Sequence, residues 1–283
     1  MLSYQHEHHF GNHADVLKHA TLALCIRALQ AKEGPIRVFD SHAGAGRYET
    51  TTAKARRTPE FRNGIGRLWP PAEIPAGLAK ELAPYLDVVR ALNDGQQLRR
   101  YPGSPLIARR LLRQQDQLAL LELHPQAANA LARLFARDPS THLHFRDCFE
   151  GLPALLPPPE RRGLVLIDPS YEVKEEFNRV RDLLIACHRR WKAGTFLIWY
   201  PLIRHPASGR FPAKIAASGI RDIYRVELRV EDDGFQGLRG SGVLIVNLPY
   251  GLQSRLEKLL PALWRCLSAE SRGGFKAEWL VPE

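Results

Sequence analysis

The sequence predicts a doubly wound α/β fold, and three observations carry the prediction. Short, apolar, β-rich runs alternate with segments of helical spacing. The runs lack polar alternation, as strands buried on both faces do. Acidic or glycine-rich turns follow several of them, at the strand ends where open α/β sheets bind ligands.

The first strand is expected over Ile36–Asp40, after a helix over Ala14–Gln30 that Asn12 or Asp15 can cap. Strands follow at Gln117–Leu123, His142–Arg146, Gly163–Asp168, Thr195–Tyr200, Asp222–Val230 and Gly242–Leu248. Helical spacing fills Pro105–Gln115, Ala127–Ala136, Lys174–Trp191 and Gln253–Leu267. Residues Arg47–Gly103 break the alternation. They show no convincing strand but carry Leu78, Leu82, Tyr85, Val89 and Leu92 at helical spacing, which predicts a helical insertion at the sheet's C-terminal edge. The chain therefore reads as one domain, residues 1–283, with a helical insertion subdomain at 47–103. The insertion also gathers Arg56, Arg57, Arg62, Arg67, Arg99 and Arg100, which suit either a solvated helical face or an anionic partner.

Composition narrows the function classes. With 283 residues, 45% hydrophobic and 25% charged, the chain is neither disordered nor fibrous. No apolar run approaches the roughly 18 residues of a membrane span. The polar, His-rich start lacks a secretory h-region. A net charge of +10 favours an anionic partner, most commonly nucleic acid. Cys25, Cys148, Cys187 and Cys266 form no CxxC pair, which points to a reduced, cytoplasmic protein rather than a zinc knuckle.

Chemistry concentrates at the strand ends. The strand ending at Asp40 turns through Gly44-x-Gly46, whose glycines let backbone approach a ligand. Glu122, in LLELHP, suits the two hydroxyls of a ribose. It lies 76 residues beyond Gly46, a gap that the insertion explains. Asp147, after HLHFR, suits the amino group of an adenine. IDPSY, directly after GLVL, puts a carboxylate and a rigid carbonyl at the tip of a buried strand, with Tyr171 offering a flat face. Together they suit a planar base bearing an exocyclic amine.

The DPSY tetrapeptide resembles the (D/N/S)PP(Y/F/W) motif of adenine-N6 methyltransferases. GNHADVLKH, DSHAGAGRY, YPGSPLIA, ELHP, IDPSY and the terminal WLVPE together resemble the RlmJ family over essentially the whole chain. That resemblance implies a Rossmann-like, seven-stranded methyltransferase sheet and the cofactor S-adenosyl-L-methionine. It also implies N6 methylation of one adenine in 23S ribosomal RNA. By the same resemblance His19, His42, Ser104, Glu122, Asp147, Cys148 and Asp168 would line the cofactor site, with Cys148 contributing backbone. Asp168, Pro169 and Tyr171 would carry catalysis, and Tyr4 would contact the RNA. Two positions depart from the family pattern. Ser170 replaces the second proline, which predicts a looser loop, and Cys148 replaces a glycine, which puts a Cβ beside the adenine pocket.

Rival readings are an adenine-N6 methyltransferase acting on DNA, an RNA-binding protein on an inactive methyltransferase fold, and a metal-dependent nucleic-acid enzyme. The last would use His6, His8, His9, His13, His19 and His42, but these form no HxxxH or HExxH pattern. The expectation is a monomeric, metal-free enzyme with no membrane partner.

Overall fold

The computed structural model describes residues 9–173 and 175–283. Its first helix, α1 (His13–Leu29), precedes β1 (Arg37–Asp40). A short strand β2 (Arg47–Glu49), helix α2 (Ala53–Arg57), helix α3 (Ala76–Arg90) and strand β3 (Arg100–Pro102) follow. The chain continues through α4 (Ser104–Leu111), β4 (Gln117–Leu121), α5 (Pro125–Leu134), β5 (Thr141–His144), α6 (Cys148–Ala154) and β6 (Gly163–Ile167). It ends with α7 (Glu176–Arg190), β7 (Thr195–Leu202), α8 (Pro206–Ala216), β8 (Ile223–Arg229), β9 (Gly240–Val246), α9 (Leu252–Leu267) and β10 (Gly274–Val281).

The main sheet has eight strands in the order β10-β8-β9-β7-β6-β1-β4-β5. Strands β7, β6, β1, β4 and β5 pair in parallel, so Asp40, Glu122, Asp147 and Asp168 all follow strand ends on one edge. The strand positions alternate between two cores. Val38, Leu118, Leu120, Leu164, Leu166 and Leu197 join the core that contains α1, α3, α4 and α9. Phe39, Ala119, Leu121, Val165, Ile167 and Phe196 join the core beneath α6, α7 and α8. This is the Rossmann-like α/β arrangement.

Two expectations need correction, the strand count and the strand-free insertion, and strand direction comes from the structure. β9 runs antiparallel to both β7 and β8. The direct β8-to-β9 connection carries no crossover helix, and only an antiparallel pair can be joined that way. The sheet has an eighth strand, β10, antiparallel to β8 at the edge. And residues 47–103 do hold strands. β2 and β3 pair antiparallel as a ribbon of three residues each, closing the insertion at its base. The insertion does not build its own core. Leu78, Leu82, Tyr85, Leu86 and Val89 of α3 join the same core as α1 and α9. Among the described residues no helix is long and apolar enough to cross a membrane.

Candidate active site

α1 is capped by Asn12, whose side-chain oxygen accepts from the N–H groups of Ala14 and Asp15. Asp15 instead accepts from the Gly11 N–H at 2.7 Å. Residues 14–26 are all buried, so the polar side chains of that span have no solvated face. Lys18 meets this constraint by bridging two carboxylates, Asp15 at 2.8 Å and Asp168 at 2.6 Å. Burial works against its charge, but the Asp15 and Asp168 carboxylates outweigh it and raise the ammonium above its ordinary value. His19, one residue on, bonds the Tyr101 hydroxyl at 2.8 Å, and Tyr101 in turn meets Tyr85 at 3.0 Å.

The glycine turn after β1 is held from across the sheet. Gly44 adopts φ +62°, and a Cβ there would lie 2.7 Å from the Tyr48 hydroxyl. Its N–H donates to Glu122 at 2.7 Å, while the other Glu122 oxygen accepts from His124 N–H at 2.7 Å. Asp40 is buried beneath the turn, with one carboxylate oxygen unpartnered. Burial, reinforced by the nearby Asp168, pushes it up to about 7, although Ser104 hydrogen-bonds to it. His42 sits with one ring nitrogen 2.7 Å from Ser41 Oγ and the other 3.3 Å from Cys148 Sγ. Its burial lowers the imidazole to about 4, so it is neutral at physiological pH.

Asp147 caps α6, accepting from Phe149 N–H, and its second oxygen lies 3.3 Å from Arg179. The Arg179 guanidinium rests 3.7 Å from the centre of the Phe149 ring. Cys148 is the first residue of α6 and has no positive φ, so nothing there requires the glycine of the family pattern. After Ser170 the backbone turns through φ +53° at Tyr171. That turn sends the Tyr171 ring inward, 4.4 Å from Phe177, with its hydroxyl donating to the Trp199 carbonyl at 2.8 Å. The ring is only 7% exposed, so the open flat face expected from sequence is not presented in this structure.

His19, His42, Ser104, Glu122, Asp147, Cys148, Asp168, Pro169 and Tyr171 all line one cleft of about 830 Å³. Tyr4, His6 and His8 lie outside the described residues. Lys18, Asp15, Asp40, Glu60 and Arg179 were not singled out as site residues in the sequence. Asp15, Lys18 and His19 at i, i+3 and i+4 in an otherwise apolar helix are the signal that finds the first two. Among the described residues no group of three or more His, Cys, Asp or Glu side chains is placed to hold a metal ion. His9 is instead bonded to Glu60 at 2.8 Å.

Residues 33–281 match the family model described as ribosomal RNA large subunit methyltransferase D, RlmJ. The chain belongs to the RlmJ family. A ribosomal RNA large subunit methyltransferase J from Escherichia coli is 42% identical over 284 residues, covering all of both chains. Its counterpart from Haemophilus influenzae is 40% identical over 285 residues, again covering both chains completely. A crystal structure of a Legionella pneumophila protein, 32% identical, superimposes with a TM-score of 0.86 over 95% of this chain and 97% of that one. In this RlmJ-family chain, then, the cleft at the C-terminal edge of the parallel strands is where the family motifs converge: GNHADVLKH supplies Lys18, DSHAGAGRY supplies the glycine turn, and IDPSY supplies Asp168.

Proposed function

We propose that the chain transfers the methyl group of S-adenosyl-L-methionine to N6 of an adenine in 23S ribosomal RNA. The observation that carries this reading is the seating of Asp168 and Pro169 in the same cleft as the Gly44 turn and Glu122.

The cofactor half of the cleft suits S-adenosyl-L-methionine. Glu122, fixed by two backbone N–H groups, has the geometry to accept from ribose hydroxyls. A Cβ at Gly44 would crowd Tyr48, as expected of a turn shaped for close backbone approach. When bound, the cofactor supplies an electrophilic methyl on sulfur. Ser104, His42, Asp147 and Cys148, which line the same cleft, would complete the wall around it.

The amine of adenine is a poor nucleophile because its lone pair is delocalised into the ring. Accepting its N–H bonds at Asp168 and the Pro169 carbonyl localises that pair and aims it, and much of the rate comes from such positioning. Lys18 holds the Asp168 carboxylate in place through its 2.6 Å contact. Asp168 is also the acceptor that the site offers for the proton that N6 loses. Tyr171, anchored to the Trp199 carbonyl, braces the loop that carries Pro169. Tyr4 is assigned to the RNA from the family motif.

The test is digestion and mass analysis of 23S ribosomal RNA incubated with purified protein and S-adenosyl-L-methionine. One added N6-methyladenosine is expected. An unmodified RNA, or transfer only to a DNA strand, would overturn the reading.

A further inference from the structure

A second pocket, of about 470 Å³, lies within the insertion and is built unlike the cleft. Its volume falls within the roughly 300–1,000 Å³ range of ligand sites. Arg56 comes to it from α2, Arg62 from the turn at Glu60–Asn63, and Arg99 from the segment before β3. Arginines that are merely solvated spread along one helix face; these converge from three elements. No carboxylate lines the pocket, and among the described residues none pairs with Arg56 or Arg62. Two aromatic side chains share the lining. Trp69 is fixed by its indole N–H donating to the Gln96 carbonyl at 2.8 Å. Phe61 is fixed by stacking on Phe10 at 5.9 Å.

The pocket adjoins the cleft. Glu60 lines the cleft and Phe61, the next residue, lines the pocket. Tyr48 lines the cleft and Thr50 the pocket, so two separate segments form the partition. Guanidinium groups beside fixed aromatic faces are the combination that binds phosphate and stacks bases of single-stranded nucleic acid.

We infer that this pocket holds a nucleotide of the substrate RNA next to the target adenine, an inference that rests on the RNA-methylating reading above. Its phosphate meets Arg56 and Arg62, and its base lies on Trp69. A strand threaded this way is gripped on the far side of the Glu60 partition while the adenine occupies the cleft.

The experiment measures binding of a single-stranded RNA carrying the target adenine to the full chain across a salt series. For Arg56→Gln/Arg62→Gln, weaker binding is expected, with the salt slope reduced by about 1.4, since each lost single-strand phosphate contact removes about 0.7. Trp69→Ala is expected to weaken binding by about 5- to 150-fold, the range for one lost base stack, and Trp69→Phe to retain most of the affinity. S-adenosyl-L-methionine affinity, read by calorimetry, is expected to stay unchanged in every variant. Unchanged RNA affinity and slope in the arginine variant would overturn the inference. So would a free mononucleotide that occupies the pocket without competing with the RNA. Wild-type protein that methylates RNA while the variants bind it normally removes the pocket alone. Wild-type protein that transfers no methyl group to RNA removes the reading beneath it.

Discussion

Asp168 is held by Lys18 at 2.6 Å, yet Lys18 keeps a second carboxylate, Asp15, at 2.8 Å. Removing Asp168 therefore does not strand a buried ammonium, and its effect on the reaction separates from its effect on the fold. Asp168→Ala is expected to cut methyl transfer by about 100-fold or more, the lower range for a lost acid–base group, with the unfolding midpoint little changed. Near-normal transfer by the purified variant would remove Asp168 from catalysis. Glu122 carries a double duty, since it bonds the glycine turn as well as facing the cleft. Glu122→Ala is expected to weaken cofactor binding by about 1–3 kcal/mol, the scale of a hydrogen bond to a charged group. Calorimetry giving an unchanged affinity would reduce Glu122 to a turn clamp. At this scale Asp168 was legible because a charge at the tip of a buried strand, locked by a proline, is hard to explain by structure alone, whereas Glu122 could equally have been an ordinary surface acid. Lys18 and Asp15 were not legible, because charges inside a helix ordinarily mark its solvated face, and residues 14–26 of α1 have none.

The elements that the sequence exposed are mainly strands buried on both faces and helices with one regularly spaced apolar face. The expected strand at Thr195–Tyr200 appears as Thr195–Leu202, and the expected helix at Gln253–Leu267 as Leu252–Leu267. β10 stayed hidden because its residues are mostly exposed or half-buried at the sheet edge, with Lys276 and Glu278 breaking the apolar run. β2 and β3 are three residues each, too short for their length to signal a strand. The element that couples fold to site most directly is α1, through its cap. Asn12 satisfies two N–H groups of the first turn and donates to Glu60 at 2.9 Å. Asn12→Ala is expected to destabilise the protein by about 1–2 kcal/mol in urea unfolding. Asn12→Ser, which restores a cap but not the bond to Glu60, is expected to fall between wild type and Ala. Equal midpoints for all three would mean that the cap does not set the position of the Asp15–Lys18 turn.

Across the whole molecule, buried titratable groups set how stability responds to pH. His13 and His42 are each lowered to about 4 from 6.5 by burial. Between those values the unfolded chain takes up protons that the folded chain refuses, so stability present above 6.5 is lost as pH falls. At about 1.4 kcal/mol per unit, each histidine accounts for roughly 3 kcal/mol at most. Asp40 works in the opposite sense. Burial raises it to about 7 from 3.8, so across that window the folded carboxyl keeps a proton that the unfolded one releases. Its contribution is complete below the unfolded value and is lost as pH rises toward 7, a difference of roughly 4 kcal/mol. The two effects overlap between about pH 4 and 6.5, where two histidines oppose one carboxyl, so wild-type stability is expected to fall toward pH 4 with about half the slope that the histidines alone would give. Asp40→Asn removes one side of that balance. The cofactor-free variant is expected to exceed wild type in stability at pH 7 and to fall more steeply toward pH 4, where the two converge. Urea midpoints for both proteins at half-unit intervals test this, and parallel profiles would show that Asp40 does not hold its proton in the folded state.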